Sequence, residues 1–137
     1  MLAKNIDGGK EIILDEYTFI VSETDEKGNI IFANEEFCKV AGYSVDELIG
    51  KPHNIVRHYD MPKIAFKELW ETIKKGETWS GLVKNTSKSG DYYWVYATIF
   101  PTITSEGTKG FLSCRKKATD EEIEIHKNLY KELKDKE

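Results

Sequence analysis

Five short stretches rich in β-branched and aromatic residues punctuate the chain, and helically spaced segments fill most of the intervals. Tyr17 to Ser22 (YTFIVS) and Ile30 to Ala33 (IIFA) read as strands. The DEKGN stretch between them, Asp25 to Asn29, is turn sequence, because Gly28 and Asn29 tolerate positive φ, so the pair predicts a hairpin. Asn34 then stands where a helix N-cap belongs, Phe37, Val40 and Ala41 follow at helical spacing, and Gly42 closes the turn. Ser44 with Glu47 matches a capping box and opens a short second helix that ends by Gly50. Lys51 to Tyr59 carries no clear period. From Pro62 the helical signal is strong, with Phe66, Leu69, Trp70 and Ile73 at i, i+3, i+4 and i+7 and Gly76 placed to stop the helix.

Beyond Gly76 the period shortens to two. Trp79 to Asn85, Tyr92 to Phe100 and Gly110 to Arg115 read as strands, joined by turns at Ser87 to Asp91 and Thr104 to Gly107. Residues 118–137 predict a terminal helix, capped by Thr119 with Glu122 and striped by Ile125, Leu129 and Leu133, with Ile123 and Tyr130 widening the stripe. The order ββαααβββ with a terminal helix predicts an α+β domain built on a five-stranded antiparallel sheet with helices on one face. The expected organisation is an N-terminal cap over 1–16, extended or briefly helical, a main folded domain over 17–117 and a C-terminal helix over 118–137.

Two strands say more than their own conformation. Tyr92 to Phe100 is apolar on both faces, and the helices between Asn34 and Lys75 can cover only one, so the other needs the N-terminal segment, the terminal helix or a second subunit. In the strand before it, Trp79, Gly81, Val83 and Asn85 share a face. Gly81 leaves room beside Trp79, and an amide at Asn85 on an otherwise apolar inward face is either bonded to backbone or orients a planar polar ligand.

Charge narrows the partners. The 137 residues hold 20 Lys and Arg against 24 Asp and Glu, a net charge of −4 that argues against a nucleic-acid footprint. No apolar run is long enough for direct membrane insertion, and MLAKNIDGGKE lacks the apolar core of a signal peptide. Cys38 and Cys114 stand far apart and in no CxxC arrangement, which fits free thiols in a reducing cytoplasm. No nucleophile sits beside a base, no metal-ligand spacing occurs and no phosphate loop is present, so an enzyme is not expected.

The element order, the GYSVDELIGKPHNIVRH run and the KSGDYYWV turn-strand resemble a PAS domain. RHxDMP and KKGExWSGxVKN narrow the resemblance to the PAS domains of bacterial aerotaxis, or energy-taxis, receptors, over roughly residues 15 to 122. The resemblance implies non-covalent FAD whose redox state is relayed to a chemotaxis-type signalling partner, a chemoreceptor or other signalling domain in cis or trans. It implies Arg57, His58 and Asp60 as flavin-binding residues, Trp79 along the flavin, Asn85 and Asn34 near its edge or on the signal path, and Trp70 as a further pocket residue. Arg57 supplies a cationic fork for a pyrophosphate, and Asp60 either caps the Pro62 helix or holds Arg57. Two alternatives stand beside this reading: a haem-binding gas sensor using His53 or His58, and a cofactor-free homodimerisation or docking module using the Tyr92, Trp94, Tyr96 row. A light-driven cysteine adduct is not expected, because KPHNIVRH contains no cysteine.

Overall fold

The computed structural model describes residues 9–137. Five strands, β1 (Ile20–Asp25), β2 (Ile30–Ala33), β3 (Trp79–Thr86), β4 (Tyr92–Ile103) and β5 (Lys109–Lys117), form one antiparallel sheet in the order β2-β1-β5-β4-β3. Helices α1 (Glu35–Ala41), α2 (Val45–Leu48) and α3 (Lys63–Lys74) connect β2 to β3, with a 3-10 turn at His53–Val56 between α2 and α3, and α4 (Asp120–Asp135) follows β5. The α+β fold, the five-stranded sheet and the C-terminal helix are those expected.

The caps form as their residue types dictate. Asn34 Oδ1 accepts from the Phe37 N–H at the start of α1, and Gly42 ends that helix at φ 77°. Ser44 and Glu47 close one capping box and Thr119 and Glu122 another. The turn before β2 is held by Asp25, whose Oδ1 accepts from the N–H groups of Lys27 and Asn29.

Several strand limits differ from expectation, those of β1 and β4 by three residues. β1 begins at Ile20 rather than Tyr17, because the Asp15 carboxylate accepts from Tyr17 N–H and its carbonyl from Thr18 N–H, turning the chain just before the sheet. β4 runs past Phe100 to Ile103 despite Pro101. β3 has ended opposite Ile99, so Pro101 has a neighbour only on β5, where proline is tolerated. Of the expected cap, residues 1–8 lie outside the described residues. The rest is extended: Tyr92 N–H donates to Lys10 O and Ile12 N–H to Tyr92 O, and Leu14 enters the core.

The inner face of the sheet packs Ile20, Tyr93, Val95 and Ala97 against Phe37, Ala41, Leu48, Val56, Leu69 and Ile73. On the outer face Leu82, Trp94 and Ala118 form a second cluster under Ile123 and Tyr130 of α4. Tyr130 stacks on Trp94 at 6.3 Å between centroids and donates its hydroxyl to Leu82 O at 2.8 Å. Of the three covers weighed for this face, the terminal helix takes the Trp94 end. The docking row proposed for Tyr92, Trp94 and Tyr96 is therefore already occupied at its centre.

Candidate functional site

The inner layer does not close completely. A cavity of about 320 Å³ lies between the sheet and the layer made by α3 and the 3-10 turn. Val83, Ala97, Ile99 and Phe111 form an apolar floor, and Phe66, Leu69, Trp70 and Ile73, the stripe expected on α3, form the facing wall. Gly28 in the β1–β2 turn completes the rim beside Trp70. A Cβ on Gly28 would meet the indole at 3.0 Å, so glycine serves there for space as well as for its φ of 89°.

Into this apolar space project polar groups whose hydrogen-bonding capacity is unused. Buried and without a partner are Asn54 Oδ1, Arg57 Nε, Asn85 Nδ2, Ser113 Oγ and two nitrogens of Arg115, on cavity-lining residues, and Tyr93 Oη, which lies beside the Asn85 amide outside the lining. Buried polar atoms are nearly always paired in folded proteins, so their convergence on one cavity makes it the candidate ligand site.

The structure brings together Arg57, Trp70 and Asn85. Arg57 lies with its guanidinium carbon 3.6 Å from the Phe66 ring centroid, and a backbone bridge to Asn85 ties the 3-10 turn to β3. Asn85 is buried on the inward face, as the period-two reading placed it. Trp70 meets Phe111 edge-on at 5.6 Å.

The other four expected residues lie outside the cavity lining. Asn34 is fully used by structure, accepting from Val21 and Phe37 N–H and donating to Phe19 O. His58 turns toward Tyr92, and its Nδ1 accepts from Asp60 N–H at 3.0 Å. Asp60 is exposed and pairs with Lys84 Nζ at 2.9 Å. Trp79 folds flat over Gly81, where a Cβ would lie 2.7 Å from the indole. The slot beside Gly81 was legible in the sequence, but the indole fills it rather than the cavity.

Arg115, Ser113, Ser22 and His53 form a polar cluster that the sequence reading did not assemble. Arg115 and Ser113 alternate with Phe111 on β5, so an inward arginine was marked by the same period-two signal that exposed Asn85. Arg115 Nη2 donates to Ser22 Oγ at 2.7 Å, and Ser22 Oγ also bonds His53 Nε2 at 2.9 Å. Burial, and then the Arg115 charge, push the His53 imidazole down to about 3. Burial and then the Lys84 charge push His58 down to about 4, against the opposing pull of Asp60.

Both histidines are therefore neutral in the folded domain near pH 7, and the linkage has a definite sign. Above the unfolded pKa of about 6.5 neither state binds these protons. As pH falls below it, the unfolded chain protonates first, and stability is lost until the folded pKa values are reached. Stability is expected to be flat from pH 8 to 7 and to fall between about pH 6.5 and 3, with the slope reduced in His58→Gln. Denaturant titrations at a series of pH values check this, and a flat profile down to pH 5 would contradict it.

Among the described residues no group of three or more His, Cys, Asp or Glu could hold a metal ion, and no helix is long and apolar enough to cross a membrane.

An antiparallel sheet ordered 2-1-5-4-3, with α1 to α3 on one face enclosing a polar-studded apolar cavity and α4 on the other, defines an α+β shell. The chain belongs to the PAS fold family, whose model matches residues 30–114. It is 51% identical over 116 residues to the aerotaxis receptor of Escherichia coli, covering 85% of this chain and 23% of that one. It is 33% identical over 105 residues to the biofilm dispersion protein BdlA of Pseudomonas aeruginosa, covering 76% and 25%. The chain thus spans about a quarter of the length of these relatives. Among solved structures, the light-state LOV domain of the blue-light photoreceptor Aureochrome1 superposes with a TM-score of 0.69 at 19% identity, over 80% of this chain and 88% of that one, a likeness of fold.

Proposed function

We propose that this PAS domain binds FAD non-covalently and relays the redox state of its flavin to a chemotaxis-type signalling partner. The observation that carries the reading is the set of unpartnered buried polar atoms around an apolar cavity. A planar heterocycle with donors and acceptors on its rim supplies both complements. The similarity to an aerotaxis receptor supports flavin in particular. The volume lies at the low end of the roughly 300–1,000 Å³ usual for ligand pockets, suited to a ring system rather than to a whole dinucleotide.

The chain's own residues have distinct parts in this reading. Phe66, Leu69 and Trp70 give flat apolar and aromatic contact. The Asn85 amide both donates and accepts, so it can serve either hydrogen-bonding state of a ring nitrogen. Arg57, half-buried where the 3-10 turn meets α3, brings positive charge for the phosphates. A bound flavin would supply reversible electron uptake, which no side chain here offers. Haem is less well supported: His58 does not line the cavity, and His53 Nε2 is engaged by Ser22.

The relay would run through β3. Asn85 lines the cavity, and Leu82 on the same strand takes the Tyr130 bond that seats α4, the expected linker helix to a signalling domain in cis or trans.

The test is an absorption spectrum of the purified protein followed by release and identification of the chromophore. Flavin absorption that bleaches on reduction, FAD in the extract and weakened retention in Arg57→Ala are the expected results. A Soret band would replace flavin with haem. A colourless protein that takes up no FAD would leave a docking module.

A further inference from the structure

Arg115 is 2% exposed, yet among the described residues no carboxylate pairs with it. Its partners are one hydroxyl, Ser22 Oγ, and the face of Phe37, 4.4 Å from the guanidinium carbon to the ring centroid. Nε and Nη1 have none. A buried cation so poorly compensated opposes folding. An arginine whose purpose was to brace β5 against Phe37 would have its remaining donors met by carbonyls or a carboxylate. This one leaves them unused on a residue that lines the cavity.

We propose that Arg115 is the specificity-determining residue of the cavity, a cation kept for an electron-rich or anionic edge of a planar heterocycle, at the expense of the stability of the empty domain. His53, neutral beside it, completes the same end through Ser22 without adding a second charge. The inference deepens the ligand reading above. With a flavin in the cavity, reduction by two electrons with uptake of one proton leaves one negative charge on the ring, and a neighbouring cation favours that form over the oxidised one.

The experiment compares wild type, Arg115→Met and Arg115→Lys, each freed of ligand and then reconstituted with FAD. Ligand-free Arg115→Met is expected to melt higher than ligand-free wild type, by about 5 °C. On reconstitution it is expected to lose the oxidised ligand several-fold and the reduced ligand at least tenfold more. That tenfold corresponds to a midpoint potential lower by about 30 mV in a dithionite titration. Arg115→Lys, which keeps the charge and loses the fork, should retain most of the potential while binding less tightly. A ligand-free Arg115→Met that melts lower than wild type, or fails to fold, would make Arg115 a structural brace and overturn the proposal. So would an unchanged potential. The melting comparison needs no cofactor, so it decides the role of Arg115 even if wild type takes up no FAD, an outcome that would instead remove the flavin reading.

Discussion

Ala97→Phe is expected to abolish ligand retention, with an affinity loss above roughly 100-fold, while the domain stays folded. Ala97 sits on the inner face of β4, is 1% exposed and forms part of the cavity floor. In register it lies between Gly81 of β3 and Arg115 of β5, so its side chain borders both the Trp79 slot and the cationic end. In a filled core a larger side chain costs about 1–3 kcal/mol of strain. Here the added ring meets open volume, and burying it repays much of that strain. Affinity by fluorescence titration and a melting curve on the same sample separate the two effects. Retained binding in a folded variant would show that the ligand does not occupy this cavity.

The second large effect is expected at Gly110. A Cβ there would collide with the Thr24 carbonyl oxygen and stand 2.7 Å from Thr104 Cγ2. The first contact is with backbone, which cannot rotate away. Gly110 pairs with Asp25 of β1 and with Thr102 of β4, so relief would require the end of the central strand β5 to part from a neighbour. Gly110→Ala should destabilise by about 3 kcal/mol or more, lowering the melting temperature by roughly 10 °C. Because the displaced strand also carries Ser113 and Arg115, ligand affinity should fall with it. A variant within 0.5 kcal/mol of wild type, on the order of ordinary surface changes, would contradict the close approach.

Much of the fold was readable because it is written in local chemistry. Asn34, Ser44 and Thr119 each stand at a helix start with the bond their type predicts, and the α3 stripe faces the cavity as its spacing required. Asn85 was legible as an inward amide because alternation alone fixes its face. What local sequence does not carry is long-range placement. Nothing local says that Trp79 prefers the Gly81 slot, or that Lys84 draws Asp60 away from the cavity. His58 leaves the site because the unpatterned stretch from Lys51 to Tyr59 folds as a 3-10 turn bridged to β3, a geometry without a hydrophobic period. Arg115 entered the sequence reading only as the end of the last strand, since its neighbours Ser22 and His53 come from distant parts of the chain.

That distance bears on how the domain is made. β1 lies between β2 and β5, and Ile20 pairs with Arg115. As the chain leaves the ribosome, the first hairpin has no partner for its inner edge until the last strand emerges, and a lone hairpin is marginal at best. The side of the cavity lined by Thr24 of β1 and Ser113 of β5 is therefore among the last features to form during synthesis. Sheet closure across nearly the full length of the chain makes folding slow relative to a helical protein of this size. A nascent chain released before Lys117 would have neither a complete sheet nor a place for a ligand.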